Sequence, residues 1–92
     1  MSPDAAAEIA RDALLWILGH EGAARRFMAE TGIAPRDLAA VAADPSALGA
    51  VLDFLLGDEG MLAAFCAQAG LAPDLPARAR AALPGGDLPH WT

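Results

Sequence analysis

Two glutamates and a histidine are the residues of this chain best suited by type to chemistry. Glu21 sits in Gly19-His20-Glu21-Gly22 and Glu59 in Gly57-Asp58-Glu59-Gly60. Brought together, two carboxylates could share a proton or hold a metal ion, and His20 could act as a base or a further ligand. A simpler physical reason covers both motifs. An acid in the first turn of a helix is stabilised by the positive end of the helix dipole, and this applies equally to Glu21 and Glu59. A metal role for His20 would need a second histidine nearby, and His90 lies close to the C-terminus, so a surface or capping histidine is expected. Cys66 follows Phe65 on an apolar stripe with no base in a matching position, so a buried and inert thiol is expected. A single cysteine excludes an internal disulfide and a cysteine-based zinc site. These residues form no catalytic constellation, and no cofactor or metal is predicted.

The elements that must carry them are set by a repeat. Displaced by 38 positions, residues 13–39 fall on residues 51–77 without a gap, with 11 identities in 27 positions. The identical residues include Leu14 and Leu52, Gly19 and Gly57, Glu21 and Glu59, Phe27 and Phe65, Gly32 and Gly70, and Pro35 and Pro73. Trp16 over Phe54 and Ile17 over Leu55 exchange one apolar residue for another. Self-similarity at this period marks a duplicated supersecondary unit. The predicted fold is therefore all-α: a compact six-helix domain of two tandem three-helix repeats packed about a pseudo-twofold axis. Residues 1–84 form the domain, with one repeat over about 3–43 and the other over about 45–83, followed by a tail at 85–92.

Capping and periodicity support helices throughout. Ser2 before Pro3 is a helix start, and Asp44-Pro45-Ser46 is another. Ile9, Ala13, Trp16 and Ile17 keep a helical spacing, widened by Leu14 and Leu18. Glu21 with Arg25, and Arg26 with Glu30, stand four apart and can pair. Gly32 and Gly70 can close helices in the left-handed conformation, and Pro35 can open the next one. Asp58 is the expected cap for a helix carrying Met61, Leu62, Phe65, Cys66 and Ala69. Pro76 replaces Leu38 of the first copy, which predicts that the last helix begins near Pro76. The consecutive apolar residues Leu14 to Leu18 make an arc too wide for one buried stripe. Such an arc is either the centre of a domain or a partner surface.

Composition narrows the function. The 92 residues suffice for one domain, and a hydrophobic fraction of 55% suffices for a core. The cations are all arginine, and 12 acids against 6 bases leave a net charge of −6. A helix-turn-helix over residues 21–43 would offer the single base Arg36 beside Asp37 and Asp44, too little to neutralise phosphates, so nucleic-acid binding is not expected. No run of 18 apolar residues occurs, and Met1 to Asp4 lack a basic segment ahead of an apolar one. Neither a membrane span nor a signal peptide is predicted, and the cytoplasm of a bacterium is the expected location.

The string Phe27-Met28-Ala29-Glu30-Thr31-Gly32-Ile33-Ala34-Pro35-Arg36-Asp37-Leu38, with Val51-Leu52-Asp53-Phe54-Leu55 and Phe65 to Pro73, resembles DUF3572, a family of small alphaproteobacterial proteins of unknown function. The resemblance covers most of the chain. Its motifs are caps and core positions, and it implies no activity, cofactor or site residue.

The function expected from these residues is a non-enzymatic protein–protein interaction module that binds another protein or itself. The candidate partner surface comprises Trp16, Leu15, Arg25, Arg26 and Trp91. The alternatives are a structural homodimer subunit, and a small enzyme or ligand-binding protein using Glu21, Glu59 and His20.

Overall fold

The first helix begins where Ser2 Oγ accepts the Ala5 N–H at 3.1 Å and Pro3 occupies the first turn. In the computed structural model, which describes residues 1–85, six α-helices follow one another. They are α1 (Pro3–Leu18), α2 (Glu21–Thr31), α3 (Leu38–Ala43), α4 (Pro45–Leu56), α5 (Glu59–Ala69) and α6 (Leu75–Ala82). A 3-10 turn over Pro35–Asp37 leads into α3. The chain is all-α, and no strand occurs among the described residues. The 12.3 Å radius of gyration is that of a compact globule of this length.

The helix stops and starts lie where the capping residues place them. Gly32 ends α2 and Gly70 ends α5 with φ of 76° and 71°, a left-handed conformation that glycine adopts without Cβ strain. Asp44 Oδ1 accepts from Ser46 N–H at 3.0 Å, and Asp58 Oδ1 from Met61 N–H at 2.9 Å. The last helix begins at Leu75, one residue before Pro76, so the proline falls in the first turn, where an N–H has no intrahelical partner to lose. Helix boundaries recur at a spacing of 38: α1 and α4 end at Leu18 and Leu56, α2 and α5 begin at Glu21 and Glu59, and they end at Thr31 and Ala69. The fourth helix, with 12 residues against 16 in α1, is about one turn shorter at its N-terminus.

The core lies between α1 and α4. The first helix buries Ala6, Ala10 and Ala13, whose small side chains let neighbouring backbones approach, together with Leu14 and Ile17. The fourth buries Leu48, Gly49, Val51, Leu52, Phe54 and Leu55, so its broad apolar arc is the centre of the domain. Helix α6 packs on both of them, α3 on α4, and α2 on α1, while α5 touches α4 and α1. Two aromatic contacts bind these layers. Phe27 of α2 meets Phe54 of α4, and Phe65 of α5 meets Trp16 of α1.

Polar ties close the rim. Arg11 Nε donates to Ala42 O at 2.8 Å, joining α1 to α3. Arg80 Nε meets Asp53 Oδ1 at 2.7 Å, joining α6 to α4, and Arg80 Nη1 donates to Pro84 O at 3.1 Å. The Arg80 guanidinium lies directly over Gly49, where a Cβ would come within 2.7 Å of Nη1. Arg26 of α2 reaches Asp58 at 2.8 Å while also bonding Glu30 and lying over the Phe54 ring.

Candidate interaction surface

The six exposed positions of α2 are Glu21, Gly22, Arg25, Arg26, Ala29 and Glu30. The positions 38 residues later in α5, namely Glu59, Gly60, Ala63, Ala64, Ala67 and Gln68, are exposed as well. The two helices thus present the same geometry to the outside with different chemistry. On α2 the surface is charged and internally paired: Arg25 to Glu21 at 3.0 Å, and Arg26 to Glu30 at 3.2 Å. On α5 the corresponding bases are alanines and the second acid is Gln68. From Gly60 to Pro73 the chain carries no charged residue at all.

Two apolar side chains near the start of α5 are larger than their counterparts in α2, while Cys66 is smaller than Met28. Met61 and Leu62 stand where α2 has Ala23 and Ala24. Burial of Met61 and Leu62 is only partial, and Phe65 and Cys66 are the only fully buried residues of α5. An open hollow of about 430 Å³ runs along one flank of the helix, lined by Glu59, Leu62, Ala63, Cys66, Leu71 and Pro73 among others. A second open hollow of about 390 Å³ lies on the α1 side, between Asp12, Leu15 and Trp16 and the α5 residues Phe65, Gln68 and Ala69. Leu15 stands at its edge with 68% of its surface exposed, the most exposed large apolar side chain among the described residues.

The residues singled out in the sequence are placed as follows. Trp16 is half-buried: its indole Nε1–H donates to Gln68 Oε1 at 2.8 Å, and its ring stacks on His20 with centroids 4.1 Å apart. Leu15 and Trp16 belong to the α5-facing hollow, whereas Arg25 is on the exposed face of α2. Arg26 is engaged within the fold, by Glu30, Asp58 and the Phe54 ring. Trp91 lies outside the described residues.

The groups typed for chemistry are taken up by local structure. His20 precedes α2 and its Nδ1 donates to Trp16 O at 2.7 Å. Glu21 pairs with Arg25, and Glu59 borders the apolar hollow in the first turn of α5. Cys66 is buried beneath that hollow, and desolvation pushes its thiol pKa up, so the thiol stays protonated at neutral pH. The Met61 N–H and the Arg26 guanidinium hold the Asp58 carboxyl below the usual carboxylate range. Among the described residues no group of three or more His, Cys, Asp or Glu side chains is arranged to hold a metal ion, and no polar or charged side chain is buried. No single described helix is long and apolar enough to cross a membrane.

The contrast between α2 and α5 could not be read before the exposure of each position was known. The signal was nonetheless present, as an uncharged stretch, Gly60 to Pro73, aligned at a spacing of 38 with the charged stretch Gly22 to Pro35.

A family model described as "Protein of unknown function (DUF3572)" matches residues 3–86 of the chain. No curated protein and no solved structure matches it.

Proposed function

The chain belongs to the DUF3572 family, and from that premise we propose that it is a non-enzymatic interaction module of the cytoplasm whose docking face is the outside of α5 together with Leu15. One observation carries the reading. Two helices expose equivalent positions; α2 covers them with two ion pairs, whereas α5 keeps a single charge there, Glu59. An exposed helix face facing water alone gains from charges and pays no packing penalty for them, as α2 illustrates. A face that replaces them with alanine and enlarges its apolar neighbours is suited to being covered. The two hollows flanking α5 and the exposed Leu15 give that face relief, which a docking partner needs for complementarity. The engagement of Glu21 by Arg25 and the burial of the Cys66 thiol support a module without catalysis. Its one cysteine, held as a buried thiol, suits a reducing compartment.

The test transfers the charges of α2 to α5. Ala63→Arg, Ala64→Arg and Gln68→Glu together recreate the four-residue ion pairs with Glu59 and with each other at positions that are already exposed. Tagged wild-type chain and this triple variant are used to capture proteins from the source cell, with mass-spectrometric identification. The reading expects at least one protein, the chain's own copies included, to be retained by the wild type and lost by the variant. Identical sets from both baits would overturn it.

A further inference from the structure

We infer that the occupant of the α5 face is a basic segment of another protein, one that carries leucine-sized apolar side chains among lysines or arginines. The inference rests on the docking face proposed above and adds the chemistry of its partner. Most acids of the fold already have a partner. Arg25 meets Glu21, Arg26 meets Glu30 and Asp58, and Arg80 meets Asp53. Asp37 and Asp44 accept backbone N–H groups, and Asp74, just beyond Pro73, has Arg78 of α6 at 3.7 Å. Among the described residues, Asp4, Glu8, Asp12 and Glu59 make no ion pair. The first three stand four apart on the exposed side of α1, where like charges repel across successive turns. The helix dipole accounts for Asp4 and Glu59, each in a first turn. It does nothing for Asp12 in the middle of α1, and the neighbouring Arg11 donates to Ala42 O instead.

Asp12 and Glu59 stand at the two hollows that flank α5. Asp12 lines the one shared with Leu15 and Trp16, Glu59 the one beside Leu62 and Cys66, and no base lines either. Each hollow thus combines apolar relief with a carboxylate that nothing answers. An acidic or uncharged partner would desolvate both carboxylates without pairing them. A basic one pairs them, and the net charge of −6 draws it in. Leu15, 68% exposed, and the hollows add the demand for apolar side chains. With volumes of about 390 and 430 Å³ and open mouths, the hollows admit side chains rather than enclose a whole ligand. One helix of 11 residues and its margins make a small contact, which places the dissociation constant at roughly 10 µM to 1 mM. Attraction between exposed charges is screened, so salt weakens the complex.

Titration calorimetry and amide chemical-shift mapping of the full chain test this with three synthetic helical peptides of about 14 residues on one groove-binding pattern: leucine with lysine, leucine with glutamate, and serine with lysine. The leucine–lysine peptide is expected to bind in the range above, to shift the amides of α5, Leu15 and Trp16, and to lose about fivefold or more in affinity between about 50 and 500 mM NaCl. The other two should bind at least about tenfold more weakly. At about 150 mM salt, Asp12→Lys should weaken binding about threefold or more and Glu59→Gln about twofold. Asp4→Lys, about 12 Å along α1 from Asp12 and beyond the screening length, should leave it nearly unchanged. Leu15→Ser should weaken it about threefold or more without touching a charge. No binding of the leucine–lysine peptide at about 1 mM overturns the inference, as does equal binding of either other peptide, an equal effect of Asp4→Lys and Asp12→Lys, or shifts away from α5. A chain that pairs with its own copy through α5 and so excludes the peptide overturns it too. If no peptide binds while Ala63→Arg, Ala64→Arg, Gln68→Glu still abolishes capture of a cellular protein, the basic partner is wrong and the docking face stands.

Discussion

Phe27 meets Phe54 edge to face, with ring centroids 5.3 Å apart and planes at 79°. The positions 38 residues on repeat the contact: Phe65, over Phe27, meets Trp16, under Phe54, at 6.3 Å and 71°. Each pair joins one outer helix to one central helix from the opposite half of the chain. The two pairs differ in burial. Phe27 is fully buried and Phe54 nearly so, whereas Trp16 is half-buried and its indole N–H bonds an exposed glutamine. Phe27→Ala should therefore destabilise the fold by about 3–5 kcal/mol. Trp16→Phe keeps the ring edge and loses an exposed hydrogen bond, so its effect should stay below about 1 kcal/mol. Urea unfolding measures both, and equal losses would show that burial does not rank these contacts.

Gly49 and Arg80 should behave as a coupled pair. Replacing a helical glycine by alanine ordinarily stabilises by about 1 kcal/mol. Here the added Cβ would lie 2.7 Å from Arg80 Nη1 and push the guanidinium away from Asp53 and Pro84. Gly49→Ala should stabilise an Arg80→Ala background by roughly that 1 kcal/mol and bring little or no gain to the wild type. A double-mutant cycle with additive effects would show that Arg80 moves aside freely.

Asp58 predicts a loss of stability in acid. Its folded carboxyl titrates lower than in an unfolded chain, because the Met61 N–H and then Arg26 favour the charged form. A depressed carboxylate contributes stability that is present above the unfolded value, near 3.9, and is lost as pH falls through the lower folded one. Asp58→Asn can still cap α5 but cannot pair with Arg26 as an ion. It should be less stable than the wild type at pH 7 and should lose less on acidification. Thermal unfolding between pH 2 and 7 gives the comparison, and parallel curves would remove Asp58 from the account.

Cys66 should resist thiol reagents while the chain is folded. Burial raises its pKa and shields its sulfur. At pH 7.5 an aromatic disulfide reagent is expected to label it at least about 100-fold more slowly than in denaturant. Labelling at the rate of a free thiol would mean that the hollow beside Leu62 opens readily to the sulfur.

The helix boundaries were largely legible in the sequence, for a physical reason. Ser2, Asp44 and Asp58 cap through side-chain bonds to residues two or three positions away, and Gly32 and Gly70 act through their own φ. Such signals are local and need no knowledge of the rest of the fold. Gly70→Ala should accordingly destabilise by about 1–2 kcal/mol, the strain of a Cβ in the left-handed region. The four-residue pairs on α2 were legible for the same reason. The contacts of Arg11 with Ala42, Arg26 with Asp58 and Arg80 with Asp53 were not, since each spans 27 or more residues and depends on how helices cross. The wide apolar arcs of α1 and α4 illustrate the same limit. The fourth helix has Asp53 where α1 has Leu15, and both positions are exposed, so the acid marks the outer side of α4 while the apolar Leu15 gives no such mark in α1. The face of α5 was hidden because an apolar stretch reads as core until its exposure is known.

The bond from the Trp16 indole to Gln68 has an optical consequence. It places the ring at the seam between α1 and α5, beside the hollow that Leu15 borders. In a Trp91→Phe chain, fluorescence would come from this ring alone, and its emission would shift to shorter wavelength when a neighbour excludes water from the seam. The protein thus carries its own sensor at the place where contact would occur, readable without any label.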